Sequence, residues 1–240
     1  MRPINLIMLL SLIVMVTAFF QRNSLSTDIS FDEKLNNEPH QVNTIETPFT
    51  VSTKQQTYFI EPLYDYTLYG LVVSLKQHDG NTGLHKAWND HLNVADLCVV
   101  WSDTAFSPHL NKIEFWNGQF TCFFQTSDRQ AWKSFNGAQL SNNHLITDNE
   151  YLRAKINDIG IGDQIKISGW LANYRNKNGN KRGTSIVRTD TGNGACETIY
   201  VNDVQILTSY TSHWRIVLYV SFCIFVLSIY LYFKAPLRNY

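Results

Sequence analysis

Ile216 to Phe233 is an uncharged, apolar run of 18 residues, and no other feature limits the fold of this chain as much. As a helix rising about 1.5 Å per residue it covers roughly 27 Å, close to the hydrocarbon thickness of a bilayer. Trp214 and Arg215 stand at one border and Lys234 and Arg238 at the other, as aromatic and basic anchors do at a membrane interface. A soluble core helix of this composition would need apolar protein on every side, and no neighbouring segment supplies it. The sequence therefore predicts a transmembrane helix over 214–233, followed by a short cytoplasmic tail over 234–240.

A second apolar run, Ile4 to Phe20, is interrupted only by Asn5, Ser11 and Thr17. Val16-Thr17-Ala18 has the small residue of a signal-peptide cleavage site. The length of the run and its continuation through Phe19 and Phe20 favour an uncleaved signal-anchor over 1–20. Arg2, Lys234 and Arg238 predict both termini on the cytoplasmic side of an inner (cytoplasmic) membrane, with the middle of the chain outside it. The lipid bilayer is thus the first expected partner.

Residues 21–57 are rich in Ser, Thr, Asn and Gln and read as a polar linker, reaching roughly 35 Å if flexible. Residues 58–208 read as an extracytoplasmic folded domain. The balance of 20 Lys+Arg against 20 Asp+Glu leaves no global basic field, so nucleic acid is not an expected partner. Strands are predicted at 69–75, 96–101, 162–175 and 197–207. A hairpin is predicted about Asn117-Gly118, with both turn positions at positive φ. A helix over 148–157 is predicted to be capped by Asp148, with Leu152 and Ile156 on its inner face. Gly169 marks an expected bend or bulge. The fold class is mainly β with short helices, a small barrel flanked by N- and C-terminal transmembrane helices.

Gly162-Asp163-Gln164-Ile165-Lys166-Ile167-Ser168-Gly169, followed late by Val204-Gln205-Ile206-Leu207, resembles the OB-like β-barrel domains of membrane-anchored bacterial proteins. In those domains a helix precedes a strand of this pattern, and a short hydrophobic strand ends the barrel. The resemblance implies an OB-like small barrel here and carries no activity with it.

Three cysteines, Cys98, Cys122 and Cys196, lie in the domain, and Cys223 lies in the C-terminal span. They permit one disulfide in three pairings, and no C-x-x-C occurs. Cys98 and Cys122 sit in apolar strands and read as buried, inert thiols. Cys196 ends a polar, Gly-rich loop with Arg188, Asp190 and Glu197, which makes these four the candidate catalytic residues. They would suit a metal-assisted, phosphodiesterase-like hydrolase. The plainer alternative is a strand-connecting loop in which Arg188 pairs with Asp190. The loop partly resembles OB-fold nucleases of the thermonuclease type. It departs from them because Arg188 is two residues from Asp190 and the cluster ends the barrel.

His78, His85, His91 and His144 match no metal-ligand spacing and read as surface histidines and turn caps, so no metal centre and no cofactor is expected. Cys196 and His144 form a nucleophile pair only if the fold joins them. Arg175, Lys177, Lys181 and Arg182 form a basic hairpin beside Trp170 and Tyr174, and these six are the candidate binding residues. The leading expectation is a membrane-tethered extracytoplasmic binding or scaffold module. Its partner would be another envelope protein, an anionic lipid headgroup or a polymer.

Overall fold

A computed structural model describes residues 3–26, 29–192 and 196–234. The chain divides into two units, one of Met1–Ser26 with Thr211–Tyr240 and one of Thr27–Tyr210. The first unit opens with α1 (Pro3–Gln21). The second carries β1 (His40–Asn43), β2 (Phe49–Thr53), β3 (Gln56–Gln77), α2 (Gly83–Trp88), β4 (Asn93–Val100) and α3 (Ser102–Ala105). It continues through β5 (Glu114–Asn117), β6 (Cys122–Gln125), α4 (Arg129–Ser134), β7 (Leu140–Ile146) and α5 (Glu150–Asn157). It ends with β8 (Gln164–Asn176), β9 (Lys181–Arg182) and β10 (Cys196–Thr208), after which α6 (His213–Lys234) returns the chain to the first unit.

Both α1 and α6 are long and apolar enough to cross a membrane, and they pack against each other. Their buried positions are small: Ser11 and Ala18 on α1, Ser221 and Ser228 on α6. Small side chains let two apolar helices approach closely where lipid offers no hydrophobic drive between them. The serine hydroxyls donate to carbonyls of their own helices, Ser11 to Met8 at 3.0 Å and Ser228 to Phe225 at 2.7 Å. These hydroxyls, and that of Thr17, which donates to Ile13, are thus satisfied without water.

The second unit is mainly β sheet with a few helices. Its spine is β3, a 22-residue strand whose aromatic and β-branched side chains suit a pleated, half-buried surface. β3 pairs antiparallel with β4 through its C-terminal part and with β8 along most of its length. β4 pairs with β7, β7 runs parallel to β10, and β10 pairs antiparallel with β8. Leu68, Val72, Leu97, Val99, Leu145, Ile167 and Ile199 fill the interior of this sheet. α5 brings Leu152 and Ile156 to the same core, as its spacing predicts.

Four local readings are corrected. Within the segment read as a linker, β1 and β2 form and pair with β3, because the apolar side chains of Phe49 and Val51 pack against a cluster that includes Tyr58 and Ile60. The hairpin turn lies beyond Asn117-Gly118: Asn117 pairs with Cys122, and Phe120 is the residue at positive φ, 67°. The α5 cap is Asn149, whose side chain accepts from the amides of Tyr151 and Leu152. Asp148 instead accepts from the hydroxyl of Tyr200. At Gly169 the irregularity belongs to the partner strand, between Val201 and Asp203 of β10. Gly169 is required by close approach, since a Cβ there would lie 2.0 Å from the carbonyl oxygen of Tyr200.

Candidate functional site

Strand alternation decides which polar side chains can meet. In β7, Leu145 faces the core while Asn142 and His144 face the opposite way. The register sets Asp96 and Cys98 of β4 beside His144 and Asn142, and Cys196 of β10 beside Asn142. One outer face of β4–β7–β10 therefore carries Asp96, Cys98, Asn142, His144 and Cys196. Cys98 is bridged to Cys122 of β6, which corrects the reading of both as free thiols and ties the β5–β6 hairpin over this face. Asn117 accepts from the Ser74 hydroxyl at 2.6 Å and donates to the Asp96 carbonyl at 3.1 Å. α2 brings His85 and Trp88, and the ring of Trp88 stacks on Phe120 at 5.9 Å.

Beneath this roof lies a buried histidine–aspartate cluster. His144 Nδ1 lies 2.5 Å from Asp96 Oδ1, and His78 Nε2 lies 3.0 Å from Asp96 Oδ2. His85 Nδ1 lies 3.1 Å from Asp90 Oδ2, an atom that also accepts from the Tyr174 hydroxyl at 2.7 Å. Side-chain exposure is 6% for His78, 11% for His85 and 2% for His144, so these are not surface histidines. Sequence spacing missed the cluster because its members come from separate strands and one short helix. The nearest signal was the polar run Ser141-Asn142-Asn143-His144, whose burial makes β7 unrecognisable by apolar alternation.

Burial alone would raise the carboxylates. For Asp96 the adjoining His144 and His78 outweigh it and hold the group well below the usual range. Asp90 is likewise lowered, burial being outweighed by His85 and Tyr174. Tyr174 is pushed well above its ordinary value by burial and by Asp90, so it stays a phenol and donates. Burial also pushes the Cys196 thiol up.

A cleft of about 470 Å³ opens beside the cluster, lined by Trp88, Phe120, His144, Lys181, Arg182 and Cys196 among others. The Arg182 guanidinium sits 4.2 Å from the centre of the Phe120 ring. Both of its terminal nitrogens are buried and find no hydrogen-bond partner among the described residues.

The candidate residues are divided by this geometry. Of the binding set, Lys181 and Arg182 line the cleft, while Lys177 is exposed in the hairpin turn. Arg175 lies over Phe59 at 4.7 Å. Tyr174 is largely buried, and with Arg175, Lys181 and Arg182 it borders a second cleft of about 510 Å³. Trp170 packs with Tyr200 and Phe49, each ring centre 5.8 Å away. Of the catalytic set, Cys196 faces the cleft, but its neighbour Glu197 points into the opposite, core side and is 1% exposed. Arg188 pairs with Glu197 and donates to Tyr66 at 2.9 Å, in place of the expected pair with Asp190. Asp190 instead accepts from Ser185. Burial pushes Glu197 up to about 7 despite the guanidinium beside it. The fold does join Cys196 to the neighbourhood of His144, through Asn142 Nδ2 at 3.7 Å from the sulfur and 3.4 Å from the imidazole.

No protein-family model, no curated protein and no solved structure matches the chain.

Proposed function

We propose that this protein is a membrane-tethered, extracytoplasmic binding module whose cleft takes an oxyanion group, phosphate or carboxylate, of a lipid headgroup or an envelope polymer. The observation that carries this reading is Arg182: a cleft-lining residue whose guanidinium is laid over Phe120, with both terminal nitrogens buried and without a hydrogen-bond partner among the described residues. Burying such donors without an acceptor is costly, and a bound oxyanion removes that cost with two charge-assisted hydrogen bonds. Lys181 adds a second positive charge at the same wall.

The sheet is read as an OB-like barrel. That reading is supported by β3 pairing with both β4 and β8, by the parallel β7–β10 pair, and by α5 between β7 and β8. In such barrels the face and loops corresponding to the cleft here carry ligands. The extracytoplasmic placement is supported by the Cys98–Cys122 bridge, since disulfides persist in oxidising compartments, and by the basic residues flanking α1 and α6. An inner bacterial membrane is part of the same proposal. The hydrolase reading built on Arg188, Asp190 and Glu197 is not favoured, because Glu197 is enclosed and Asp190 is held by Ser185.

The test uses the full chain in detergent, with Trp88 fluorescence as the readout. A short-chain phosphatidylglycerol probes the headgroup source and inorganic polyphosphate probes the polymer source. Saturable binding of one probe, weakened roughly 10- to 100-fold by Arg182→Gln, is expected. Equal binding by Arg182→Gln, or no binding of either probe, overturns the proposal.

A further inference from the structure

The histidine–aspartate cluster does more than the anion-binding reading requires. One donor atom from each of His78, His85 and Asp96 lies within 4.8 Å of the other two. These residues come from three places, the segment after β3, helix α2 and strand β4, and the fold brings them together with their side chains nearly closed to water. We propose that His78, His85 and Asp96 bind a divalent transition-metal ion, with zinc as the probe.

Four observations support this. First, His78 Nε2 is buried with no well-directed hydrogen bond among the described residues, although Asp96 Oδ2 is only 3.0 Å away. The approach is close enough for charge attraction but misdirected for a hydrogen bond, and a cation seated between the two atoms would satisfy both. Second, the rings of His78 and His85 lie 4.0 Å apart with an interplanar angle of 34°. Rings this close bring a nitrogen of each within reach of one ion together with the Asp96 carboxylate.

Third, the surroundings have the form of an outer shell. Asp90 holds the His85 ring through Nδ1 and is itself held by Tyr174. Asp96 Oδ1 is held by His144 at 2.5 Å and by Asn93 Nδ2 at 2.9 Å, which leaves Oδ2 for the ion. Carboxylates and amides of this kind fix the orientation of first ligands in metal centres. Fourth, Asp96 brings a buried carboxylate, an anionic ligand for a divalent ion, to the imidazoles, while the second buried carboxylate, Asp90, also feels the Arg182 guanidinium. Two imidazoles with one carboxylate select zinc, cobalt, nickel or iron over calcium and magnesium. Three protein ligands leave a fourth position open, as in catalytic rather than structural zinc centres.

The experiment takes the full chain in detergent, stripped with chelator, in a Cys196→Ser/Cys223→Ser background so that a free thiol cannot supply the binding. It is dialysed against zinc, magnesium or calcium, and retained metal and thermal midpoint are measured. One equivalent of zinc per chain is expected, with the midpoint raised by roughly 5–10 °C when zinc stands about 100-fold above its dissociation constant. His78→Ala and His85→Gln should each lose the bound ion and the shift, and His109→Ala, outside the cluster, should keep both. If His78→Ala fails to fold in chelator, His85→Gln on the short helix α2 decides the matter. No retained zinc, retention unchanged in His85→Gln, or equal shifts with magnesium or calcium each overturn the assignment.

Discussion

The Cys98–Cys122 bridge offers the most quantitative test of how the site is built. It closes a loop between cysteines 24 positions apart, joining the buried strand β4 to a hairpin that forms a two-stranded sheet of its own. Chain-entropy arithmetic for a loop of that length gives about 3.5 kcal/mol at 25 °C. In a unit of this size each kcal/mol moves the midpoint by about 2–4 °C, so losing the bridge should lower it by roughly 7–14 °C. The perturbation is the double variant Cys98→Ser/Cys122→Ser, which leaves no half-bridge thiol, compared in detergent with the oxidised full chain. The readouts are the midpoint by near-ultraviolet circular dichroism and amide exchange over 114–125. Without the bridge, the hairpin loses its covalent tie to β4 and keeps non-covalent contacts such as the Asn117 hydrogen bonds, the stacking of Phe120 on Trp88 and the packing of Phe124 on Phe135, so exchange there should rise more than in β4 or β7. A midpoint within 2 °C of the oxidised protein, with the bridge verified by mass, would refute the claim that this bond holds the roof of the site.

Two further outcomes follow from named contacts. Gly169→Ala places a Cβ 2.0 Å from the Tyr200 carbonyl, a backbone atom that cannot swing away, so denaturant unfolding should show a loss of at least about 2 kcal/mol. Glu197 has a folded value of about 7 against an ordinary 4.5, raised by burial. The folded state therefore holds its proton more tightly than the unfolded chain does. The associated stability is fully present below about pH 4.5 and is lost as pH rises through 7, by up to about 3 kcal/mol. Melts between pH 5 and pH 8 should fall accordingly, and Glu197→Gln should flatten that dependence; a slope of opposite sign would contradict it.

Much of the architecture was legible because it depends on local pattern. The uncharged runs of α1 and α6, the inward Leu152 and Ile156 of α5, and the alternating strand after Gly162 each announce themselves within a few residues. β7 did not, because its middle is Ser141-Asn142-Asn143-His144, polar and yet buried between two strands. β1 and β2 were equally hidden, since they are short and lie in a polar segment, and their strands form by pairing with β3 and, for β2, by packing Phe49 and Val51 on the core.

The sequence by itself determined the two apolar helices and the β-rich middle, because length, hydropathy and periodicity act over neighbouring residues. Only the tertiary structure decided the site. The β7–β10 register set Cys196 beside Asn142 and turned Glu197 to the other face, dividing a loop that reads as one polar cluster. The same assembly gathered His78, His85, Asp96 and His144 from across the domain, and it chose Cys98 and Cys122 among three possible pairings. Strand register and side-chain face are set by distant partners, so no reading of the sequence alone could supply them.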